Sequence, residues 1–346
     1  MMKKEICLAD ITTLTLNEKI YGHFYSVASQ YNTLFQNDEF NVLGGSTYGH
    51  YKEFENAGFI KLPFYVNKDS NCRGSKFIKE LINAIICVNH KCDSLIFQSY
   101  SKLPIYIALT LFKPKSRIFM IEYHYSTKSG IAGFFRKMAF KRITGIITSS
   151  DTVGHSFGKP YIKVSDYIYI PKKIRREEKK YDFAMLGTIA SDKNYEDVIA
   201  ATSNTKYRVL LAGKFLDNER FEKIRSLAGD NVNILNEYLS EEDYYRYIRQ
   251  SRFLVLPYIP SSHNGKSSGV VLDSLYQGTP VIATRTDSFA FIEENNLGIV
   301  YSSSFQEVLE SGEFKYSFTT EIENFLNSQY DQAKALRDFI INGVKE

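Results

Sequence analysis

The sequence has no tryptophan and only four cysteines, and it contains no stretch of about 18 consecutive apolar residues. The last absence excludes a membrane-spanning helix as a reading of the sequence. The cysteines, Cys7, Cys72, Cys87 and Cys92, show no metal-ligand spacing. Cys87 and Cys92 are five apart, and no His or Cys cluster answers them along the chain. Reduced structural thiols in a cytoplasmic protein are therefore expected. The opening stretch, MMKKEICLADITTL, lacks an apolar core of signal-peptide length. No Asp-x-Asp triplet occurs, so the sequence offers no such pair of carboxylates to a divalent metal. Charge of neither sign dominates. Lys and Arg number 43 against 39 Asp and Glu, and the net charge of +4 is too mild to argue for a nucleic-acid partner.

What is present is a soluble globular composition, 44% hydrophobic and 24% charged. A chain of 346 residues is long enough for two domains of about 150 residues each. Strand-like and helix-like segments alternate throughout. KEICLAD, FNVLGG, DSLIFQS, SRIFMIEYH, TGIITSSD and VSDYIYIP read as strands. YGHFYSVASQYNTLF, GSKFIKELINAIICVNHK, KLPIYIALTLF and GIAGFFRKMAFKRI read as the helices between them. Such alternation predicts parallel strands with crossover helices. At Pro171 a charged run, PKKIRREEKK, interrupts the pattern and reads as a solvated linker. The alternation then restarts with YDFAMLG, KNYEDVIAATSN, YRVLLAG, DNERFEKIRSLAG, VNILN, SEEDYYRYIRQS, RFLVLPY and PVIAT. The expected class is α/β with two Rossmann-like, doubly wound domains. The boundaries read as 1–172, a linker at 173–180, a second domain at 181–316, and C-terminal helices at 317–346 that pack back on the first domain. In such sheets ligands gather at the carboxyl ends of the strands, where helix N-termini point, so the site is expected in a cleft between the domains.

HNGKSSGVVLDSLYQGTPVIAT, from His263 to Thr284, is the stretch richest in possible chemistry. Gly265, Lys266, Ser267, Ser268 and Gly269 precede an apolar helical run. Small residues let an anion approach backbone N–H groups at a helix start. The spacing is not that of a P-loop. Asp273, eight residues after Gly265, is near enough to reach a sugar hydroxyl of a ligand whose phosphates sit at that helix start. A helix cap with an exposed acid is the equally open structural reading.

The same stretch resembles the signature of the retaining GT-B glycosyltransferases, family 4 (group 1) in particular. Gly278-Thr279-Pro280-Val281 matches the family's Gly-x-Pro-Val, and Asp273 stands at its second Glu, which binds the nucleotide ribose. Gly265 stands where the family has its first Glu, a departure. MLGTIASDKNYEDVIAA resembles the family's Gly-Arg loop and Lys-bearing segment. Gly187 matches, Thr188 replaces the Arg, and Lys193 fits the Lys. VLLAGK resembles the strand ending in Gly, here Gly213. NEKIYGHFYSVASQY resembles the Gly-rich loop and helix over the sugar, with Gly22 and His23. MIEYHYS resembles the strand ending in a His that faces the donor sugar, His124. The likeness runs through nearly the whole chain in order.

This resemblance implies an enzyme that moves a sugar from a nucleotide-sugar donor, with retention and without metal or other cofactor. Lys193 would neutralise the leaving diphosphate, helped by Lys266 and the N–H groups near Ser267 to Gly269, and His124 would face the sugar. The implied acceptor is a saccharide or polyprenol-linked saccharide in bacterial surface polysaccharide or glycoconjugate assembly. Gly130–Ile143 places Phe134, Phe135, Met138, Ala139 and Ile143 near Arg136, Lys137, Lys141 and Arg142. Such a helix can lie on an anionic membrane or serve as an ordinary crossover helix, and peripheral attachment to the inner face of the cytoplasmic membrane is the expectation. Gly265 and Thr188 equally suit a catalytically silent homologue that binds a glycan or a partner transferase. An epimerase of similar architecture needs acid and His pairs for proton transfer, and the sequence shows no such set.

Overall fold

The computed structural model describes residues 3–16, 19–20, 24–55, 58–67, 73–98, 102–122, 129–165, 168–171, 177–263 and 269–343. The chain divides into two compact units, residues 1–170 with 329–346, and residues 171–328.

The first unit is built on seven strands: β1 (Glu5–Asp10), β2 (Glu39–Gly44), β3 (Gly58–Lys61), β4 (Ser94–Gln98), β5 (Arg117–Ile121), β6 (Gly145–Thr148) and β7 (Tyr161–Lys163). They lie in the order β7-β6-β5-β4-β1-β2-β3, and every pairing is parallel. The strands are apolar on both faces because both faces are covered. Ile6, Leu8, Ile96, Phe119 and Ile121 feed one core with α1 (Phe24–Leu34). Cys7, Ala9, Leu95, Phe97, Ile118 and Met120 feed the other, under α2 (Arg73–Asn89), α3 (Lys102–Leu111) and α4 (Gly130–Phe140). The period-2 alternation of strand side chains thus divides one hydrophobic run between two layers.

The second unit has six strands: β8 (Tyr181–Leu186), β9 (Val209–Ala212), β10 (Val232–Leu235), β11 (Ser251–Leu256), β12 (Val281–Thr284) and β13 (Gly298–Tyr301). Their order is β10-β9-β8-β11-β12-β13, again all parallel, around a single core. The helices α5 (Tyr195–Thr202), α6 (Asn218–Leu227), α7 (Glu241–Arg249) and α8 (Gly269–Tyr276) connect them. The end of the charged run is fastened to this unit. Lys180 and Tyr181 both donate to the Gln250 carbonyl, and Lys179 donates to that of Ser251.

The final helix, α9 (Thr319–Asn342), is one element of 24 residues. From Gln329 onward it belongs to the first unit. Leu336 and Ile340 are buried there, Phe339 packs edge-on against Phe119, and Arg337 pairs with Asp38 at 2.6 Å.

In the two large sheets three strand assignments differ from the pattern reading, and a small sheet of Leu14–Leu16, Lys19–Ile20 and Val66–Asn67 is also absent from it. VSDYIYIP is not a strand where it is described; the paired segment is Tyr161–Lys163, just before it. Gly58–Lys61 and Gly298–Tyr301 are strands that the pattern does not show. All three differences fall on edge strands, β7, β3 and β13, which bury fewer of their residues and so carry a weaker apolar signature.

Among the described residues no helix is long and apolar enough to cross a membrane. Cys7, Cys87 and Cys92 are buried and free, and Cys72 lies outside the described residues.

Candidate functional site

The strand order of the second unit reverses between β8 and β11. β9 and β10 lie to one side, β12 and β13 to the other. In doubly wound sheets ligands sit beyond the carboxyl ends of strands at such a switch point. The loop leaving β8 turns at Gly187, whose φ of +99° few side chains tolerate. Its N–H donates to the Ala212 carbonyl at 3.1 Å. At the end of β9, Gly213 comes so close that a Cβ there would stand 1.7 Å from the Gly187 carbonyl oxygen. Two strand ends therefore meet backbone to backbone, with Thr188 exposed beside them.

Lys193 lies on the same loop and is only 8% exposed. Its ammonium donates to the Thr188 carbonyl at 3.4 Å. It stands 5.0 Å from the ring centre of Tyr258 and 5.8 Å from that of Tyr195. It makes no ion pair among the described residues. Burial pulls its pKa below the ordinary lysine value, and the nearby Asp192 charge partly opposes this. The loop is pinned across the switch point. Asn194 N–H donates to the Pro257 carbonyl at 2.6 Å, and Ile259 N–H to that of Asp192 at 2.8 Å. Arg220 clamps it from α6, donating to the Ala190 and Lys193 carbonyls and to both Glu196 oxygens. A largely desolvated ammonium held by one carbonyl and two aromatic faces has donors left over for an anion.

Asp273 is one turn inside α8. Each of its carboxylate oxygens accepts from a tyrosine of α7, Tyr244 at 3.2 Å and Tyr245 at 3.4 Å. Ser240 caps α7, accepting from the Asp243 N–H at 3.1 Å. Burial pushes the Asp273 pKa up to about 6, although the two tyrosine hydroxyls oppose it. No hydrogen bond or ion pair joins Asp273 to Lys193 among the described residues.

The Gly-Thr-Pro-Val turn has a packing role. Gly278 ends α8 at φ +73°, and the Ser274 hydroxyl donates to the Thr279 carbonyl at 2.8 Å. The Thr279 hydroxyl donates to the Ile248 carbonyl at 3.0 Å, so it ties the end of α7 to the start of β12.

Of the residues singled out in the sequence, the structure brings Gly187, Thr188, Gly213 and Lys193 together and sets Gly269 and Asp273 on α8. Gly22, His23, His124, Gly265, Lys266, Ser267 and Ser268 lie outside the described residues. Tyr195, Arg220, Tyr244, Tyr245 and Tyr258 are contributors the sequence reading passed over. Their signals were a Tyr next to Lys-Asn, a Tyr following the Pro that ends a buried strand, and a Tyr-Tyr pair one turn after a helix cap.

Residues 168–311 match the family described as glycosyl transferases group 1. Among curated protein sequences, no relative was found. Several solved structures share the fold. Anabaena HepE, solved with UDP and glucose, is 10% identical with a TM-score of 0.61, over 98% of this chain and 100% of its own. An Escherichia coli trehalose-6-phosphate protein, solved with UDP-2-fluoro glucose, is 8% identical at 0.63, over 99% and 100%. AviGT4, a glycosyltransferase of avilamycin A biosynthesis, is 14% identical at 0.57, over 99% of both chains. At these identities the likeness shows the fold, which is GT-B.

A carboxyl group whose folded-state pKa lies above its unfolded value costs stability once it ionises. For Asp273 the cost is absent below about pH 4, grows as pH rises toward 6, and is complete above it. Asp273→Asn should therefore gain stability relative to the wild type across that window, by up to about 3 kcal/mol, and the difference should be flat outside it. Denaturant unfolding of both proteins from pH 4 to pH 7.5 measures this. A difference independent of pH would contradict the assignment.

Proposed function

We propose that this GT-B chain, carrying a group 1 glycosyl transferase segment over residues 168–311, transfers a sugar from a nucleotide-sugar donor to a saccharide or polyprenol-linked saccharide acceptor. The observation that carries this reading is the buried Lys193 at the strand-order switch point, a cation with spare donors where a diphosphate is expected. HepE was solved with UDP and the E. coli protein with UDP-2-fluoro glucose, which supports a uridine or related nucleotide as the donor handle. Asp273 takes the ribose hydroxyls in this reading, with Tyr244 and Tyr245 orienting its carboxylate. Gly187 and Gly213 let the two strand ends meet closely beside the proposed phosphate position.

The transfer proposed is retaining and needs no metal. The bond from the sugar anomeric carbon to the diphosphate breaks, the acceptor oxygen bonds to the same face, and its proton passes to the departing diphosphate. Lys193 stabilises the charge that develops on that leaving group. By the family resemblance, His124 would face the sugar and Lys266 with residues 267–269 would help hold the diphosphate. In the first unit, a small open depression at the ends of β5 and β6 is the place proposed for the acceptor. It is lined by Tyr31, Ile121, Thr148, Ser149 and Ile168 among others. The substitutions at Gly265 and Thr188 favour a second reading, a catalytically silent protein that holds a glycan or supports a partner transferase.

Attachment to an anionic membrane, in the context of surface polysaccharide assembly, is part of the proposal. On α4, Phe135 and Ala139 face the core, and Arg136 lies over the Phe140 and Phe157 rings. Ile131 and Phe134 remain 78% and 60% exposed. On α2, Ile78, Ile82 and Ile86 form a second exposed stripe on successive turns.

Calorimetric titration without metal should show micromolar binding of one among UDP, GDP, dTDP and CMP. Asp273→Ala should weaken it about tenfold or more. Lys193→Ala should lower kcat by about 10²–10³ once the donor is known. No binding to any nucleotide by the folded protein would turn the reading to the silent one. In flotation with anionic liposomes at low salt the wild type should rise with the vesicles, and Ile131→Ser/Phe134→Ser should stay behind. A wild type that remains wholly soluble removes the membrane from the account.

A further inference from the structure

The amino-terminal edge of the first sheet, away from the carboxyl ends where ligands are expected, carries a cluster with a different chemistry. β1 places Glu5 and Cys7 two residues apart, hence on one face of the strand. His90 follows the last turn of α2, its N–H donating to the Ile86 and Cys87 carbonyls at 3.0 and 3.1 Å. One Glu5 carboxylate oxygen, the Cys7 sulfur and a ring nitrogen of His90 all lie within 4.8 Å of one another. Cys7 is wholly buried, whereas Glu5 and His90 are partly so. Nε2 of His90 is shut off from water and has no hydrogen-bond partner among the described residues; its nearest charged neighbour is Oε1 of Glu5 at 3.7 Å. The Cys92 thiol, two residues after His90, hydrogen-bonds to the Ser94 carbonyl at 3.4 Å and the Ser116 hydroxyl at 3.3 Å.

The surroundings hold this donor set in place. Asn41 pairs with Cys7 across the β1–β2 ladder, and its side chain donates to Oε1 of Glu5 at 3.3 Å. Asn41 has room only because residue 58 is glycine. A Cβ at Gly58 would stand 1.7 Å from its Oδ1. Ser116 fixes the other side, donating to the His90 carbonyl at 3.2 Å and accepting from the Cys92 N–H at 3.0 Å.

We propose that Glu5, Cys7 and His90 form a three-ligand site for zinc or a similar borderline-soft divalent ion. Sulfur, imidazole and carboxylate are the ligands zinc takes, while calcium and magnesium take oxygen alone. With bonds of about 2.0–2.3 Å, a tetrahedral zinc holds its donors roughly 3.3–3.8 Å apart, so the three donors need to contract by no more than about 1.5 Å. Asn41 is the outer partner that such a carboxylate ligand requires. The ion would tie the first strand, the end of α2 and the turn before β4 to one another. It has no part in the transfer proposed above, which stays independent of metal. The ligands reach one another only through the fold, since Glu5-x-Cys7 and His90 lie more than eighty residues apart in the chain.

Cobalt(II) is the probe. Titrated into the reduced full-length protein, it should bind one equivalent and show the visible bands of tetrahedral cobalt with a sulfur-to-cobalt charge-transfer band, and zinc should displace it. Cys7→Ser and His90→Ala should each weaken cobalt by more than about 100-fold, and Asn41→Ala by about 10–100-fold, the range of an outer-partner loss. His90 is partly exposed, so His90→Ala decides the matter if Cys7→Ser does not fold; circular dichroism checks both. A wild type without the tetrahedral spectrum, or a spectrum that survives His90→Ala in the folded protein, overturns the proposal.

Discussion

A lysine ammonium kept almost out of water is the constraint on which the second unit turns. Burying such a charge costs several kcal/mol even after the protein relaxes. Two aromatic faces return part of that, about 0.5–2 kcal/mol each, and the Thr188 carbonyl returns a little more. Among the described residues no carboxylate closes the balance by an ion pair. The loop tolerates this because Arg220 grips its carbonyls and because backbone bonds from Asn194 and Ile259 sew it to the strand end at Pro257. The result is a rigid cradle whose electrostatic deficit an anion would fill, at the place where a doubly wound sheet opens to ligands.

Asp273 is the complementary case. Its carboxylate is also drawn out of water, but it has two tyrosine hydroxyls of its own. These hydroxyls give it a fixed orientation. They also join α7 to α8, so the acid is a packing element as well as a candidate ligand contact. If Asp273 takes the ribose as proposed, the affinity of the site is tied to the stability of the unit.

Much of the fold could be read along the chain because its central strands are covered on both faces. Segments such as SLIFQ and RIFMI are then continuous apolar runs bounded by polar turns, and the helices between them are the only partners able to cover such sheets. Within the two large sheets the misreadings lie at the edges, where β3, β7 and β13 keep one flank unpaired and bury fewer side chains. Within the candidate site, Lys193 and the two glycines could be read through the resemblance of segments that lie close together in the chain at the strand ends. The tyrosines could not. Tyr258 meets Lys193 only after β11 is laid beside β8, and nothing in LPY separates a ring that carries a cation from one that fills a core. The Glu5, Cys7 and His90 cluster was hidden for the same reason, its members being joined by strand pairing and not by spacing.

The central claim is that Lys193 is held out of water to receive a diphosphate. A crystal structure of the protein with UDP tests it most directly. The account predicts the β-phosphate within about 3 Å of the Lys193 ammonium, with the ribose hydroxyls on the Asp273 carboxylate between Tyr244 and Tyr245. A nucleotide bound elsewhere, with Lys193 still enclosed by Tyr195 and Tyr258 and touching no phosphate, would contradict it.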